Sequence, residues 1–199
     1  MDILKLFQYA EKLKFSDIEK ALKVRSNKLS YHLNNLTKKG VLIKEGDYYF
    51  LSESSEMIIP YLTGNQSPLP VILILLGNNK KALLYKRKKR PYKDLFSLPG
   101  GRILLGETLE VASKRIMKNK FNLNVEFKKV NSVSFEQVKK SEKIMHAFVL
   151  FFVTVTTKDK VELLEVANMK TKTISSDYKL IIEDSNKKIK VPVIFSESK

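Results

Sequence analysis

The chain contains no cysteine and no tryptophan, and only two histidines among 199 residues. Without cysteine there is no disulfide framework, no thiol nucleophile and no thiolate zinc site. His32 and His146 stand far apart, so a histidine-built metal centre is not expected either. Arginine is scarce, with five residues among 37 basic ones, the remainder being lysine. Long apolar runs are also missing. The longest, around Val71–Leu76 and Ala147–Val153, are too short to cross a bilayer. The N-terminal stretch MDILKLFQYAEKLKF is interrupted by charge, unlike a secretory signal. These absences predict a cytoplasmic protein with no membrane partner. The hydrophobic fraction of 43% is normal for a globular chain, which excludes a wholly disordered basic tail.

What the chain has in excess is positive charge, a formal net of +16. Such a balance points to an anionic partner, nucleic acid or phosphorylated small molecules, although lysine spread over solvated faces needs none. The distribution is uneven. Residues 1–64 hold ten Lys/Arg against eight Asp/Glu, a net of +2, and residues 65–199 carry the other +14. The break falls at Gly64-Asn65-Gln66-Ser67-Pro68-Leu69-Pro70, where turn formers and two prolines exclude a continuous helix. We therefore expect one domain over 1–64, a linker over 65–70 and a second domain over 71–199.

In the first segment, Ile3, Leu4, Leu6, Phe7, Ala10 and Leu13 recur at helical spacing and predict one amphipathic helix. Ser16, with Glu19 three residues on, reads as a capping box that starts a short helix through Leu22. Ser26 is a second N-cap candidate for a helix that runs to about Lys39 and stops at Gly40. Its apolar stripe is Leu29, Leu33 and Leu36. Asn27, Tyr31, Asn34 and Lys38 lie on the opposite face, flanked by Lys28 and Asn35. Short amides and hydroxyls on one helix face suit base edges and phosphates in a major groove. Val41–Lys44 and Tyr48–Leu51, separated by Glu45-Gly46-Asp47, predict a hairpin. A further helix from Ser52 or Ser54 to about Leu62, with Met57, Ile58 and Tyr61, offers an apolar surface for a homodimer.

This order of elements, together with Ser26–Leu36 and Gly40-Val41-Leu42, resembles the winged helix-turn-helix of ArsR-like regulators. The resemblance implies a double-stranded DNA partner. Asn27, Lys28, Tyr31 and Asn34 would contact bases, Ser26, Ser30 and Lys38 phosphates, and Lys44 would belong to the wing. His32 sits beside the leucine stripe and reads as a packed helix residue, not a metal ligand.

The second segment opens with the apolar run Val71–Leu76 and a strand at Ala82–Lys86. A basic loop, Arg87-Lys88-Lys89-Arg90-Pro91-Tyr92-Lys93, leads to Leu98-Pro99-Gly100-Gly101. Strands at Asn131–Phe135 and His146–Thr156 and a helix near Ser176–Asp184 follow. The arrangement resembles the Nudix family, whose signature is G-x5-E-x7-R-E-U-x-E-E-x-G-U, with U a bulky aliphatic. Gly101, Glu107 and Arg115 fall at the required spacings, and Met117 and Leu123 occupy the aliphatic positions. The resemblance implies an α/β/α sandwich, so the whole chain is expected to be α+β, a winged helix followed by that sandwich.

The signature is broken where its glutamates belong, at Ile116, Asn119 and Lys120, and its last glycine is Asn122. In the family those glutamates form one helix arc that binds magnesium or manganese. An apolar side chain, an amide and an ammonium do not replace clustered oxygen ligands. The sequence expectation is therefore no catalytic residue, no metal, no cofactor and no hydrolase activity. A phosphorylated or diphosphate-containing effector would be held by Arg87, Lys88, Arg90, Lys93, Phe96, Gly101, Arg102, Arg115 and Lys120. Tyr92 is a second stacking candidate, and Arg115 has an alternative partner in Glu107 or Glu110. The opposing expectation is a metal-dependent Nudix pyrophosphohydrolase of nucleotide diphosphate compounds.

Overall fold

A computed structural model describes residues 3–57, 61–62, 67–90 and 92–196. The chain divides into two units, Met1–Ser67 and Pro68–Lys199.

The first unit runs α1 (Ile3–Leu6), β1 (Lys12–Lys14), α2 (Phe15–Leu22), α3 (Ser26–Lys38), β2 (Leu42–Glu45), β3 (Tyr48–Leu51) and α4 (Glu53–Glu56). Leu29 and Leu33 of α3 are fully buried, together with Ile3, Phe7, Ile18, Leu42 and Tyr49, and Leu36 packs at the edge. The helical stripe expected of this helix is thus the core. Gly40 takes φ +68 just past it, the left-handed conformation that a glycine tolerates without cost. Gly46 does the same at φ +57 in the turn between β2 and β3.

Three local expectations are corrected. The single helix over Ile3–Leu13 stops at Leu6, because Lys12–Lys14 pair antiparallel with Tyr48–Phe50 and make a three-stranded sheet of order β1-β3-β2. Strand pairing with a distant segment overrides the local period. Ser16 and Ser26 lie inside α2 and α3 instead of capping them. Lys14 is the N-cap of α2 and its N–H donates to Asp17 at 3.0 Å, while Glu19 accepts from the Ser26 hydroxyl. The helix expected from Ser52 or Ser54 to Leu62 is described only as α4, since Ile58–Pro60 lie outside the described residues.

The second unit contains β4 (Leu69–Leu76), β5 (Lys81–Ala82), β6 (Tyr85–Lys86), β7 (Phe96–Ser97), β8 (Gly100–Arg102), α5 (Leu109–Phe121), β9 (Glu126–Lys140), β10 (Lys143–Thr156), β11 (Leu164–Glu165), a 3-10 turn at Val166–Met169 and α6 (Ser175–Asp184). A four-stranded mixed sheet has the order β8-β4-β10-β9, with β4 parallel to β10. Strand β4 is buried from Ile72 to Leu76, where both of its faces are covered. Ile72, Ile74 and Leu76 pack with Ala112, Ile116 and Met117 of α5. Leu73 and Leu75 pack with Leu180 and Ile181 of α6. The alternation of side chains along one strand thus supplies two cores, each large buried side chain contributing about 1.5–3 kcal/mol.

The linker expected over 65–70 is shorter than the sequence reading. Leu69 and Pro70 belong to β4, paired with Phe148 and Val149 of β10. Pairing with β8 begins only at Val71, so the proline occupies the strand's beginning, where a missing N–H is tolerated. Asn65 and Gln66 lie outside the described residues. The strand expected at Ala82–Lys86 is divided between β5 and β6. The strands expected at Asn131–Phe135 and His146–Thr156 extend to Lys140 and back to Lys143, forming one long hairpin.

Candidate functional site

A cavity of about 510 Å³ opens in the second unit beside the start of β4. Its floor is apolar, built from Val71, Leu73, Leu98, Phe148, Leu150 and Ile174, with Tyr85 and Phe121 in edge-to-face contact at 5.4 Å. Arg87, Lys88, Lys89, Arg102 and Lys120 line it from the loop after β6, from β8 and from α5. Glycine is required where β8 passes β4. A Cβ on Gly100 would stand 2.6 Å from the Ile72 carbonyl oxygen, and one on Gly101 would stand 3.1 Å from Ile116 Cδ1. The Gly100-Gly101 pair therefore lets the strand approach the core closely enough for its backbone to wall the cavity.

Helix α5 positions the cation at the rim. Thr108 caps its N-terminus, accepting from the Val111 N–H at 3.2 Å, and Asn122 closes it in the left-handed conformation at φ 54. Lys120 lies in the last turn before that end, and its ammonium donates to the Gly100 carbonyl. Loss of water around the ammonium, followed by the neighbouring positive charges of Arg87, Arg115 and Lys89, pulls its pKa below the ordinary lysine value. The repulsion on Lys120 is relieved when an anion enters.

The site residues expected from sequence separate into two groups. Arg87, Lys88, Gly101, Arg102 and Lys120 line the cavity, whereas Arg90, Lys93, Phe96 and Arg115 do not. Phe96 is held in β7 opposite Lys86 and packs against the α6-side core. Arg115 is engaged with Glu107 through both Nε and Nη2, the latter at 2.7 Å, and Nη2 also donates to the Arg102 carbonyl at 3.0 Å. The guanidinium beside Glu107 holds that carboxyl below its ordinary pKa. Its alternative partner, Glu110, pairs instead with Lys114 at 2.6 Å.

Sequence reading missed Glu136 and Asp177, which line the same cavity from β9 and α6. Asp177 Oδ2 accepts from Ser97 Oγ and from the Leu98 N–H, both at 2.8 Å. Burial pushes the Asp177 carboxyl up to about 6, against the pull of those two donors. Glu136 Oε1 accepts from the Tyr92 hydroxyl at 3.1 Å and from Ser176 Oγ at 2.5 Å. Tyr92 is raised above its usual value, first by burial and then by the Glu136 charge. The only local hint of Asp177 is a carboxylate in the first turn of α6, where its helix dipole favours negative charge.

The divalent cation implied by the signature does not fit these residues. Ile116 is 1% exposed and belongs to the core, and Lys120 directs an ammonium at the adjoining backbone carbonyl. Among the described residues no group of three or more His, Asp or Glu side chains is placed to hold a metal ion. Nor is any helix among them long and apolar enough to cross a membrane.

On the first unit, Ser26, Asn27, Lys28, Ser30, Tyr31, Asn34 and Lys38 are all exposed on α3, and Tyr31 is 65% exposed. Lys44 on β2 lies 5.6 Å from the Tyr49 ring centre. Lys12 and Lys14 of β1 stand over Tyr48 at 4.8 and 5.1 Å, adding to the sheet two cations that the helical period had placed elsewhere.

The second unit is an α/β fold with a glycine-walled, cation-rimmed cavity beside α5. The NUDIX domain profile matches residues 67–172, more than half of the chain, which therefore belongs to the Nudix family. An ADP-ribose pyrophosphatase of Methanocaldococcus jannaschii is 43% identical over 49 residues, a stretch spanning 25% of this chain and 29% of that relative. Similar solved folds include a MutT NUDIX hydrolase from Burkholderia pseudomallei, 14% identical with a TM-score of 0.50 over 60% of this chain and 98% of that one. The NUDIX domain of Shewanella oneidensis NrtR complexed with ADP ribose is 17% identical, with a TM-score of 0.46 over 67% and 96% of the two chains.

These matches correct the expectation that hydrolase activity is lost. Family membership and the pyrophosphatase relative point to hydrolase chemistry. What the replaced glutamates remove is one particular set of charge-stabilising ligands, not the cavity or its cations.

Proposed function

We propose that the second unit binds and hydrolyses a nucleotide diphosphate of the ADP-ribose class, and that the first unit binds duplex DNA as the reading part of a regulator. One observation carries the ligand reading: Lys120, Arg87 and Arg102 line one rim of a cavity whose floor is apolar. The pyrophosphatase relative supports the choice of ligand class. Phosphoryl transfer asks a protein mainly for positioning and electrostatic stabilisation. Arg87, Arg102 and Lys120 hold the two phosphates and take up the charge that develops on them. Water adds to one phosphorus, the bridging P–O bond breaks, and the leaving phosphate departs beside these cations with the proton balance supplied by solvent.

The chain's own cations replace the metal's charge, so binding is expected to persist in a chelator. Isothermal titration of ADP-ribose into the full chain with EDTA, followed by chromatography for AMP, is the test. Saturable binding and slow AMP release are expected. No heat of binding in either EDTA or magnesium would sink the reading.

The first unit is read as a winged helix on the exposed face of α3 and the lysines along the β1-β3-β2 sheet. A homodimer would present two such helices to paired half-sites. Occupancy of the cavity would then change DNA affinity by the ligand's differential binding to two states of the protein. Asn27→Ala combined with Tyr31→Ala is expected to weaken binding to a target duplex about tenfold at fixed salt. Fluorescence anisotropy measures this directly, and an unchanged isotherm would exclude α3 as the reading helix.

A further inference from the structure

Arg87, Lys88 and Lys89 reach the cavity from one loop, the segment between β6 and β7, whereas Arg102 and Lys120 are carried by a strand and a helix. By composition the loop is a poor carrier. Arg87, Lys88, Lys89, Arg90 and Lys93 stand against a single acidic residue, Asp94. Its charges also repel the opposite rim, since Arg87 and Lys89 both disfavour the ammonium of Lys120. Like charges drive such a loop outward into water unless a contact holds it in.

The base of the loop is fixed by backbone. The Arg87 N–H donates to the Leu95 carbonyl and the Asp94 N–H to the Arg87 carbonyl, both at 2.9 Å. The Phe96 N–H then donates to the Lys172 carbonyl at 2.8 Å, and the Phe96 carbonyl accepts from the Ile174 N–H at 2.9 Å. The tip is held differently. Tyr92 and Asp94 have φ of 65 and 71. A residue with a Cβ enters that left-handed region at a cost and stays there where its surroundings hold it. For Asp94 the contact is an ion pair with Lys86, 3.8 Å long and exposed on both sides, which contributes little. For Tyr92 it is the hydroxyl, which donates at 3.1 Å to Oε1 of Glu136, a residue 44 positions away. Glu136 is fixed in turn by Ser176, whose Oγ donates to the same oxygen at 2.5 Å. The loop tip is thereby tied to β9 and to the first turn of α6, elements anchored in the sheet and its core. Burial and the Glu136 charge keep the phenol in its protonated, donating form.

We propose that Tyr92 is a positioning residue: its hydroxyl, anchored on Glu136, holds the basic loop at the cavity against the repulsion of Lys120, so that Arg87 is in place before a diphosphate arrives. The inference rests on the nucleotide-diphosphate reading above and adds to it the device that orders the site's cations. A ligand meets a loop already ordered, so its binding does not have to supply that ordering. The arrangement also gives Glu136 a use. Its charge opposes an anion nearby, and it serves here as the fixed acceptor that keeps the loop from opening.

Tyr92→Phe deletes one oxygen and keeps the ring. On the full chain, titration calorimetry with the non-hydrolysable α,β-methylene ADP should show about tenfold weaker binding for Y92F. Arg87→Met should weaken binding by at least about as much. The double variant separates positioning from structure. Because the hydroxyl acts through the arginine, Y92F/R87M should bind no worse than R87M alone, within about threefold. Losses that multiply, to about 100-fold in the double variant, would mean a merely structural hydroxyl and overturn the proposal. Wild-type affinity in Y92F would overturn it too, while leaving the nucleotide reading intact. Failure of the wild-type chain to bind the probe would overturn that reading, and the role of Tyr92 with it.

Discussion

Lys120→Glu should weaken binding of ADP-ribose to the full chain by about 100-fold, the largest loss expected of any single change at the cavity rim. The substitution removes an ammonium fixed on the Gly100 carbonyl and places a carboxylate where the ligand's phosphates must come. It also leaves Arg87 and Lys89 with a new intramolecular partner that competes with the ligand. Truncating one member of a close charge pair typically costs about 2–5 kcal/mol, and the exposed position of Lys120 places it near the lower end of that range. Lys118→Glu on the same helix makes an identical change in net charge. Lys118 is exposed and does not line the cavity, so at about 150 mM salt its effect should stay under about threefold. Titration calorimetry on both variants separates local contact from long-range field. Equal losses in the two would mean that the +16 net charge, not the position of Lys120, attracts the ligand.

The contrast between those two lysines marks how far sequence reading reaches. Helix α5 is legible because the motif spacing of Gly101, Glu107 and Arg115 acts over a few residues, whereas its cap, Thr108, is not among the residues read from sequence. The apolar run Val71–Leu76 is legible as a strand, while its division between two cores emerges only from the packing of α5 and α6. Direction is harder. Arg90 and Lys93 share the composition of Arg87 and Lys88, yet only the latter two reach the cavity, and charge alone does not say which way a loop residue points. Arg115 has two readings in the sequence, and the bidentate geometry with Glu107 decides for the ion pair.

Contacts across long separations are the least legible. Glu136 and Asp177 meet only because β9 pairs with β10 and α6 packs back on the sheet. Neither has a local spacing that announces it. The helix expected through Leu13 fails for the same reason, its end being taken by pairing with Tyr48–Phe50. The inactivity expected from Ile116, Asn119 and Lys120 treats three positions as the whole site. The family match and the pyrophosphatase relative point the other way.

Asp177→Asn should make the second unit more stable above about pH 6, with the gain vanishing on acidification to about pH 4. The sign follows from burial. A carboxyl near about 3.9 in the unfolded chain is raised to about 6 in the fold, so between those values the folded state holds a proton that the unfolded state has released. Folding therefore weakens as pH rises through that window, by about 3 kcal/mol from one end to the other, and the penalty is constant above it. The groups facing Asp177 are the Ser97 hydroxyl and the Leu98 N–H, which favour its ionised form, Glu136, which opposes it, and Arg87, which favours it. Asparagine offers a carbonyl oxygen to the same two donors and has no proton to lose. Urea unfolding of wild type and D177N at matched pH values, followed by circular dichroism, should give midpoints that coincide near about pH 4 and diverge toward about pH 7. Parallel curves would place the Asp177 carboxyl at an ordinary value and overturn the burial argument.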